Sequence, residues 1–491
     1  MYNEINTNEL KQAGQYVLSD VVLTSFQSSE GRNEPKKISI RSLVTEINIY
    51  ESLTSNFLSG NIVVTDAQNV PNHLPLTGFE QIEFKLFTPG TSRSFDFTAV
   101  TGHPMHVYKI SDRQGLNPRT QIYALHFTSK EMIRNEQVKI ARALENTSDN
   151  SILSIVRKEL DSNKTLTLEE TKSVHKYVMP RIRPFEAINI LARDAVSKLY
   201  NTPGMLFYEN ALGFNCKSYE SLLASTNTTA RPVVALYRPS PANIRDESGN
   251  RNVIKEMQTV QGFSINSQYD TLKNLRNGIY NSRAISHDLY NKTFKETDFD
   301  YATEYEKSHH TEHDGQGGKT DNKGILPLFN YKNDNTFSDY PEGTLYYFSD
   351  TKKIHNTSEA PENHVNVPKR ISQKLAFESF NIGIDVPGFT GISCGDLIAF
   401  EMPAYEPVGT DNPFDHDPYL SGRYLIKAIR HKVSTVDDYH SMNMECIKDA
   451  VKDPYPQENI DTLSNRENTD RINVLQYELD EAIIIDKGEV V

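Results

Sequence analysis

The 491-residue chain has no tryptophan and only three cysteines, Cys216, Cys394 and Cys446. They are odd in number, far apart and in no CxxC pair, which argues against a disulfide framework or a zinc knuckle and for buried thiols in a reducing compartment. No apolar run approaches the roughly 20 residues of a membrane span, so membrane insertion is not expected. The opening residues, MYNEINTNELKQAG, lack a basic segment followed by an apolar stretch, so no secretory signal is expected either. Basic charge is also short: 52 Lys and Arg stand against 65 Asp and Glu, a formal −13 with no basic cluster. Such a balance repels nucleic-acid phosphates, which proteins hold through Lys and Arg. Over half of the excess falls in Asp453–Val491, which carries ten acidic and three basic residues, leaving the body mildly acidic.

What the chain does have is 25 Tyr, 22 Phe and a 37% hydrophobic fraction, a supply that suits strands and interfaces. Its length allows about three domains. Over the first 128 residues, apolar and polar positions alternate at Ile38 and Ile40, Ile47 and Ile49, Ile62 and Val64, Ile82 to Leu86, and Phe95 and Phe97. That is the period of half-buried strands. Breakers at Asn33-Glu34-Pro35, Ser59-Gly60-Asn61, Leu76-Thr77-Gly78, Pro89-Gly90 and Asn117-Pro118 space them as in an antiparallel barrel or sandwich.

The pattern changes near Lys130. Ser148-Asp149 precedes Ile152, Ile155, Val156 and Leu160, the stripe of an amphipathic helix with a polar cap. Pro184 suits a first helical turn, and Ile188, Leu191, Ala192, Ala195 and Leu199 follow on one face before Asn201, Pro203 and Gly204. Met205 to Tyr208 and Phe214 to Cys216, around a turn at Glu209 to Gly213, predict a β-hairpin. Strand patterning resumes at Phe263, Ile265 and Gly278-Ile279-Tyr280, gives way to a polar excursion centred on HHTEHDGQGGKTDNKG, and returns from Leu375 to Cys446. A second barrel split in sequence is the expectation, because a structureless loop of that length is rare inside a domain. The spacing of Ile472, Leu475, Leu479 and Ala482 predicts a short tail helix that needs a partner surface, on the body or on a neighbour.

Three patterns tempt a chemical reading. Gly391-Ile392-Ser393-Cys394-Gly395 matches GxSxG, with Asp396 and His431 following in hydrolase order. A nucleophile elbow needs a helix after the serine, whereas Leu397-Ile398-Ala399-Phe400 reads as a strand, so a turn is expected. Gly317-Gly318-Lys319-Thr320 resembles the end of a P-loop, but His313 stands where its first glycine belongs, and a flexible polar loop is expected. His309, His310 and His313, beside Glu312 and Asp314, do not have HExxH spacing and are expected as solvated surface histidines. No catalytic, cofactor or metal residue is assigned, and no enzyme is expected.

The run Ile47-Asn48-Ile49-Tyr50-Glu51-Ser52-Leu53, with Phe57-Leu58-Ser59-Gly60-Asn61-Ile62-Val63-Val64-Thr65-Asp66, resembles the opening barrel of baseplate hub subunits of T-even-type contractile-tailed phages. Further on, Phe207-Tyr208-Glu209-Asn210 with Gly213-Phe214 is similar to the hairpin of these hubs and of the related valine–glycine repeat spike proteins of type VI secretion. Gly278 to Arg283, His287 to Lys292, Val386 to Thr390, Gly395 to Ile398, Ser421 to Ile426 and His431 continue the likeness in order, from residue 47 to about 450.

The resemblance implies an α+β, mainly β chain. Two tube-like antiparallel β-barrels would flank a small α/β domain, with an irregular insertion and a C-terminal helical tail. The expected divisions are an N-terminal barrel at 1–128, the α/β domain at 129–225, a second barrel at 226–290 and 371–452, the insertion at 291–370, and an acidic tail at 453–491. It implies a homotrimer whose six barrels join a hexameric tail tube to a trimeric central spike, beside wedge proteins of the baseplate. DNA would pass through the lumen without specific binding. The expected location is the virion's tail baseplate, after assembly in host cytoplasm. The rivals are a Ser393 hydrolase or cell-wall-degrading tail component, and a receptor-binding tail protein with the excursion as its binding surface.

Overall fold

The computed structural model describes residues 10–26, 35–74, 76–172, 174–226, 229–239, 252–268, 270–305, 307–312, 323–324, 341–349, 362–403, 416–417 and 419–451. Strand dominates these residues, and the main element is a 14-stranded sheet assembled from both ends of the chain. The acidic tail with Ile472 to Ala482, the P-loop-like run at Gly317 to Thr320, and His313 with Asp314 lie outside the described residues.

The first seven strands of the sheet are β1 (Val22–Ser25), β2 (Lys36–Ser39), β3 (Val44–Ser52), β4 (Ser59–Asp66), β5 (Gln81–Glu83), β6 (Met105–Asn117) and β7 (Thr120–Thr128). They lie in the spatial order β2-β1-β5-β6-β7-β4-β3. The alternation seen in sequence is the cause: β4 reads intermediate and buried in strict turn, sending Gly60, Ile62 and Val64 inward. Ile62 and Val64 join Leu23, Ile47, Ile49, Ile82, Phe84, Phe95 and Phe127 in one apolar core. Each such fully buried side chain contributes about 1.5–3 kcal/mol relative to exposure.

After β7 the chain leaves the sheet to form α1 (Lys130–Gln137), α2 (Ser148–Lys158), α3 (Pro184–Asp194), a hairpin of β8 (Leu206–Asn210) and β9 (Gly213–Lys217), and α4 (Tyr219–Leu223). Ile152, Ile155, Val156, Ile188, Leu191, Phe207 and Phe214 bury themselves in a separate core. Two local readings need correction. Thr147, not Ser148, is the residue before α2, and Ser148 lies in its first turn. Pro184 does open α3, but the helix ends at Asp194, so Leu199 is outside it and exposed. The extended backbone of Ala195 and the Gly204 amide on its carbonyl end the periodic run early.

The sheet resumes with β10 (Ala235–Pro239), β11 (Thr259–Val260) and β12 (Gly262–Gln268). A small three-stranded sheet interrupts it, made by β13 (Asn281–Asp288), β14 (Thr293–Asp300) and β15 (Leu345–Ser349). It rests against α5 (Asn363–Glu378), a helix that the sequence reading missed and that runs across the expected division at 370. The last strands are β16 (Phe380–Pro387), β17 (Leu397–Phe400), β18 (Gly422–Ser434) and β19 (Tyr439–Lys448).

Strands β10 to β12 and β16 to β19 form the other half of the 14-stranded sheet, in the order β11-β10-β17-β18-β19-β16-β12. The two halves therefore repeat one pairing order. They differ at one end: β10 runs parallel to β17, whereas its counterpart β1 is antiparallel to β5. The second half has its own core, including Tyr237, Ile382, Ile384, Phe400, Tyr424, Met442 and Met444. Leu10 belongs to this second core as well, so the N-terminal segment crosses to the far half before β1 begins.

Candidate functional site

The feature that joins the halves is a seam between β3 and β18. These strands pair antiparallel from Ala428 opposite Ser52 to Ser434 opposite Glu46, while β3 keeps β4 and β18 keeps β19 on their other edges. The pairing is continuous backbone ladder between residues nearly 400 positions apart. On its inner face Ile47, Ile49 and Val433 are fully buried, and Val433 of the second half contributes to the first half's core.

The other face is polar and matched. Arg430 Nε donates to Asn48 Oδ1 at 2.9 Å, and Asn48 Nδ2 donates to Asn61 Oδ1 at 2.8 Å and to Glu46 Oε1 at 2.7 Å. Lys432 lies 3.3 Å from Glu46. Partly exposed pairs of this kind contribute about 0–1 kcal/mol each, so they set register more than they add stability. The Thr435 amide donates to the Thr45 carbonyl at 3.1 Å and extends the seam one residue further.

Buried carboxylates brace the ends of the seam. Glu51 of β3 accepts the Ala211 amide at 2.8 Å and the Cys394 amide at 2.9 Å, tying the first half to the β8–β9 turn and to the loop before β17. Burial pushes the Glu51 carboxyl up to about 7. Glu209 of β8 accepts the Leu58 amide at 2.8 Å and the Lys164 ammonium at 2.6 Å. Lys164 reaches Glu131 at 2.8 Å on its other side. Burial opposes the Lys164 charge, but the two carboxylates outweigh it and hold its pKa above the ordinary lysine range. Sequence reading singled out Glu209 only as part of a hairpin and missed Lys164, because nothing local marks a lysine whose partners lie over 30 residues away.

The GxSxG residues are not assembled as a triad. Ser393 sits in a turn, its amide donating to Asp396 Oδ2 at 3.1 Å, and its buried hydroxyl has no hydrogen-bond partner among the described residues. Asp396 is engaged by Arg93 at 3.3 Å and Arg231 at 2.9 Å, so it orients no imidazole. His431 lies on the seam strand β18, its Nδ1 3.2 Å from Nε2 of His440 and its ring 4.8 Å from that of Phe95. Burial drives both histidines down, His431 well below the usual range and His440 to about 3, so both stay neutral at physiological pH. A strand, β17, follows the motif. The geometry lacks the serine–histidine contact that nucleophilic activation requires.

His309 and His310 correct the expectation of solvated histidines, being 2% and 6% exposed. His309 Nδ1 lies 2.6 Å from Glu220 on α4, and His310 Nδ1 lies 2.7 Å from Asp449 just beyond β19. Thr311 donates to Asp449 through both its amide and its hydroxyl at 3.0 Å, and Glu312 accepts the Arg423 amide. Each imidazole has a carboxylate, which offsets the cost of taking it out of water. The pocket beside them, lined by Phe299, Tyr301 and Ser372 among others, has room of about 30 Å³, enough for water but no organic ligand. Among the described residues no group of three or more His, Cys, Asp or Glu could hold a metal ion. Cys216, Cys394 and Cys446 are free and buried, and burial holds their thiols above the ordinary range, the opposite of a reactive thiolate. Among the described residues no helix is long and apolar enough to cross a membrane.

No protein-family model matches the chain, and no curated protein matches it. Among solved structures, it is similar to the tail protein from Neisseria meningitidis MC58, with 10% identity over 88% of this chain and 96% of that one, at a TM-score of 0.46. It is also similar to the 43 kDa tail protein of prophage MuSo2 from Shewanella oneidensis, with 10% identity over 88% and 98% of the two chains and a TM-score of 0.45. A chain of the lidded Francisella PdpA–VgrG complex has 10% identity over 90% of this chain and 53% of its own length, with a TM-score of 0.44.

Proposed function

We propose that this chain is a structural hub subunit of a contractile-tail baseplate or a related injection machine, working by assembly and not by catalysis. The observation that supports it most directly is the repeated half-sheet: two sets of seven strands with one pairing order, joined edge to edge by β3 and β18. In this reading each half is a tube-like barrel, with 1–128 forming one and 226–290 with 371–452 forming the other, and 129–225 a small domain between them. Three chains then place six similar units in a ring. A sixfold tube can sit on one side of it and a threefold spike on the other, with wedge proteins around it. Closed rings also satisfy strand edges that would otherwise recruit unwanted partners.

The order of residues resembling hub subunits, from Ile47 to about 450, supports the same reading. The mildly acidic body suits a channel through which DNA moves without being held, since basic contacts are what retain phosphates. Against the hydrolase alternative stands the separation of roles at Ser393, Asp396 and His431 described above.

Light scattering of the purified chain over a concentration series tests the assembly. The expected result is a homotrimer; a monomer at every concentration, alone and with a trimeric spike present, overturns the reading. Ester hydrolysis by the wild-type chain and by Ser393→Ala is expected at equal background rates, and a loss confined to the variant would favour the hydrolase.

A further inference from the structure

Lys217 closes strand β9, and it lines a pocket beside the β8–β9 hairpin with room of about 310 Å³. That volume falls at the lower end of what small-molecule sites offer. Part of the lining is apolar. Leu168 comes from the short strand Leu166–Leu168, which runs parallel to β9, and Leu199 lies in the loop after α3, where it is 52% exposed. Tyr200 continues this surface, its hydroxyl donating to the Ala224 carbonyl at 3.1 Å and so fixing the ring.

The rest of the lining is charged and held in place. Arg231 donates its amide to the Leu223 carbonyl at 2.8 Å, and its guanidinium reaches the Gly395 carbonyl at 2.7 Å and Asp396 at 2.9 Å. Asp396 is shared with Arg93. Glu169 accepts the Ser218 amide at 2.7 Å and the Ser218 hydroxyl at 3.0 Å, one on each carboxylate oxygen. Each of these groups is matched inside the protein. Lys217 is not: among the described residues its ammonium has no hydrogen-bond or ion-pair partner. Burial and the nearby Arg231 push its pKa down, outweighing the pull of Asp396 and Glu169. An ammonium taken out of water without a counter-charge is costly, and an anion placed beside it offsets that cost.

We infer that this pocket binds a small organic carboxylate, with the charge on Lys217 and a compact apolar body against Leu168, Leu199 and Tyr200. One unmatched positive charge suits a monoanion. The Glu169 carboxylate in the lining repels phosphate or any other dianion, while Arg231, already held by Asp396, adds positive field without needing a partner. A hydrogen bond between an ammonium and a carboxylate is charge-assisted and stronger than a neutral one. The apolar surface then separates an acid with a branched body from acetate, because only the former removes apolar area from water. A free acid and the C-terminal leucine of a protein segment present the same chemistry, and the two are told apart by measurement. The site does not depend on the ring reading.

Ligand-observed NMR titration of the full chain tests this with 4-methylpentanoate, acetate, inorganic phosphate, and acetyl-Gly-Gly-Leu with its C-terminus free or amidated. The branched acid is expected to saturate a single site and to bind at least about tenfold tighter than acetate or phosphate. Lys217→Met is expected to weaken it at least about tenfold, while unfolding in urea at the same or a higher midpoint because an unmatched charge has been removed. Leu199→Ala, at an exposed position, is expected to weaken the branched acid at least about threefold and to leave acetate unchanged. Tighter binding of the free-terminus peptide than of the branched acid supports the site with a protein terminus as its occupant; the reverse order supports it with a small molecule. Saturation by neither, phosphate binding as tightly as the acid, or affinity unchanged in both Lys217→Met and Leu199→Ala overturns the inference.

Discussion

At the scale of single residues, stability at the junction depends on charges that water cannot reach. Glu51 has its folded pKa raised from the ordinary value to about 7. A carboxyl so raised favours folding while it is protonated, so its contribution is fullest below about pH 4.5 and is lost as pH rises through 7. By linkage the whole loss is on the order of 3 kcal/mol. His431 and His440 act in the opposite sense, since histidines buried neutral lose stability as pH falls below about 6.5. The two trends partly cancel in the wild-type chain, so the carboxyl must be read from a variant. Glu51→Gln is expected to lose stability relative to wild type at pH 5 and to recover most of that loss at pH 8, by thermal unfolding across the range. A difference that does not change with pH would show that Glu51 is ionised throughout.

Lys164 offers a sharper test. It is buried between two carboxylates, and Lys164→Met leaves both without a cation. Removing one partner from a buried ionic group costs about 3–5 kcal/mol, more than a methionine's packing returns. Urea unfolding is expected to shift by that amount at pH 7, and to shift much less when Glu131→Gln and Glu209→Gln accompany it. Neither effect was legible in the sequence. A charged residue in a polar stretch reads as surface until its partners are known, and here those partners come from other elements. The same ambiguity explains His309 and His310, which local context assigned to solvent and whose carboxylates, Glu220 and Asp449, are 89 and 139 positions away.

At the scale of elements, short-range chemistry was readable and long-range pairing was not. The β8–β9 hairpin follows from its own residues. Gly213 takes φ +119° where the chain reverses, and a Cβ there would stand 2.3 Å from the Thr165 carbonyl oxygen. Gly213→Ala is therefore expected to cost at least about 1–3 kcal/mol, because both the backbone angle and the space exclude a side chain. Since Ala211 in the same turn holds Glu51, the variant should also loosen the seam, visible as faster hydrogen exchange in β3. Loss of stability without that change would separate the hairpin from the seam.

The strands β3, β4 and β5 were announced by alternation at Ile47 and Ile49, Ile62 and Val64, and Ile82, whereas β6 and β7 were marked only by the breaker Asn117-Pro118 between them. Helix α5 was not, because Pro368 inside it and its polar N-terminal half hide the period, although Phe377 and Ala376 are buried. The seam could not have been found by pattern, since β3 and β18 each read as an ordinary strand and only the fold says that they are neighbours.

At the scale of the whole molecule, the same pairing order appears twice in the 14-stranded sheet. Strand order and inward alternation survive with quite different side chains, because a half-buried strand asks only for apolar residues at every second position. That is why residue patterning supported a mainly β chain with two strand-rich regions and only the family resemblance implied two like barrels, while their joint emerged from the sheet. It is also why the proposed function concerns assembly: the joined repeat is the most distinctive arrangement in the molecule, whereas the tempting motif at Ser393 is a turn whose companions are engaged elsewhere. Images of the purified chain, alone or with a trimeric spike, address that claim most directly. Averages down the axis should show a closed ring of six lobes from three copies; isolated particles, or rings with any other number of lobes, would contradict it.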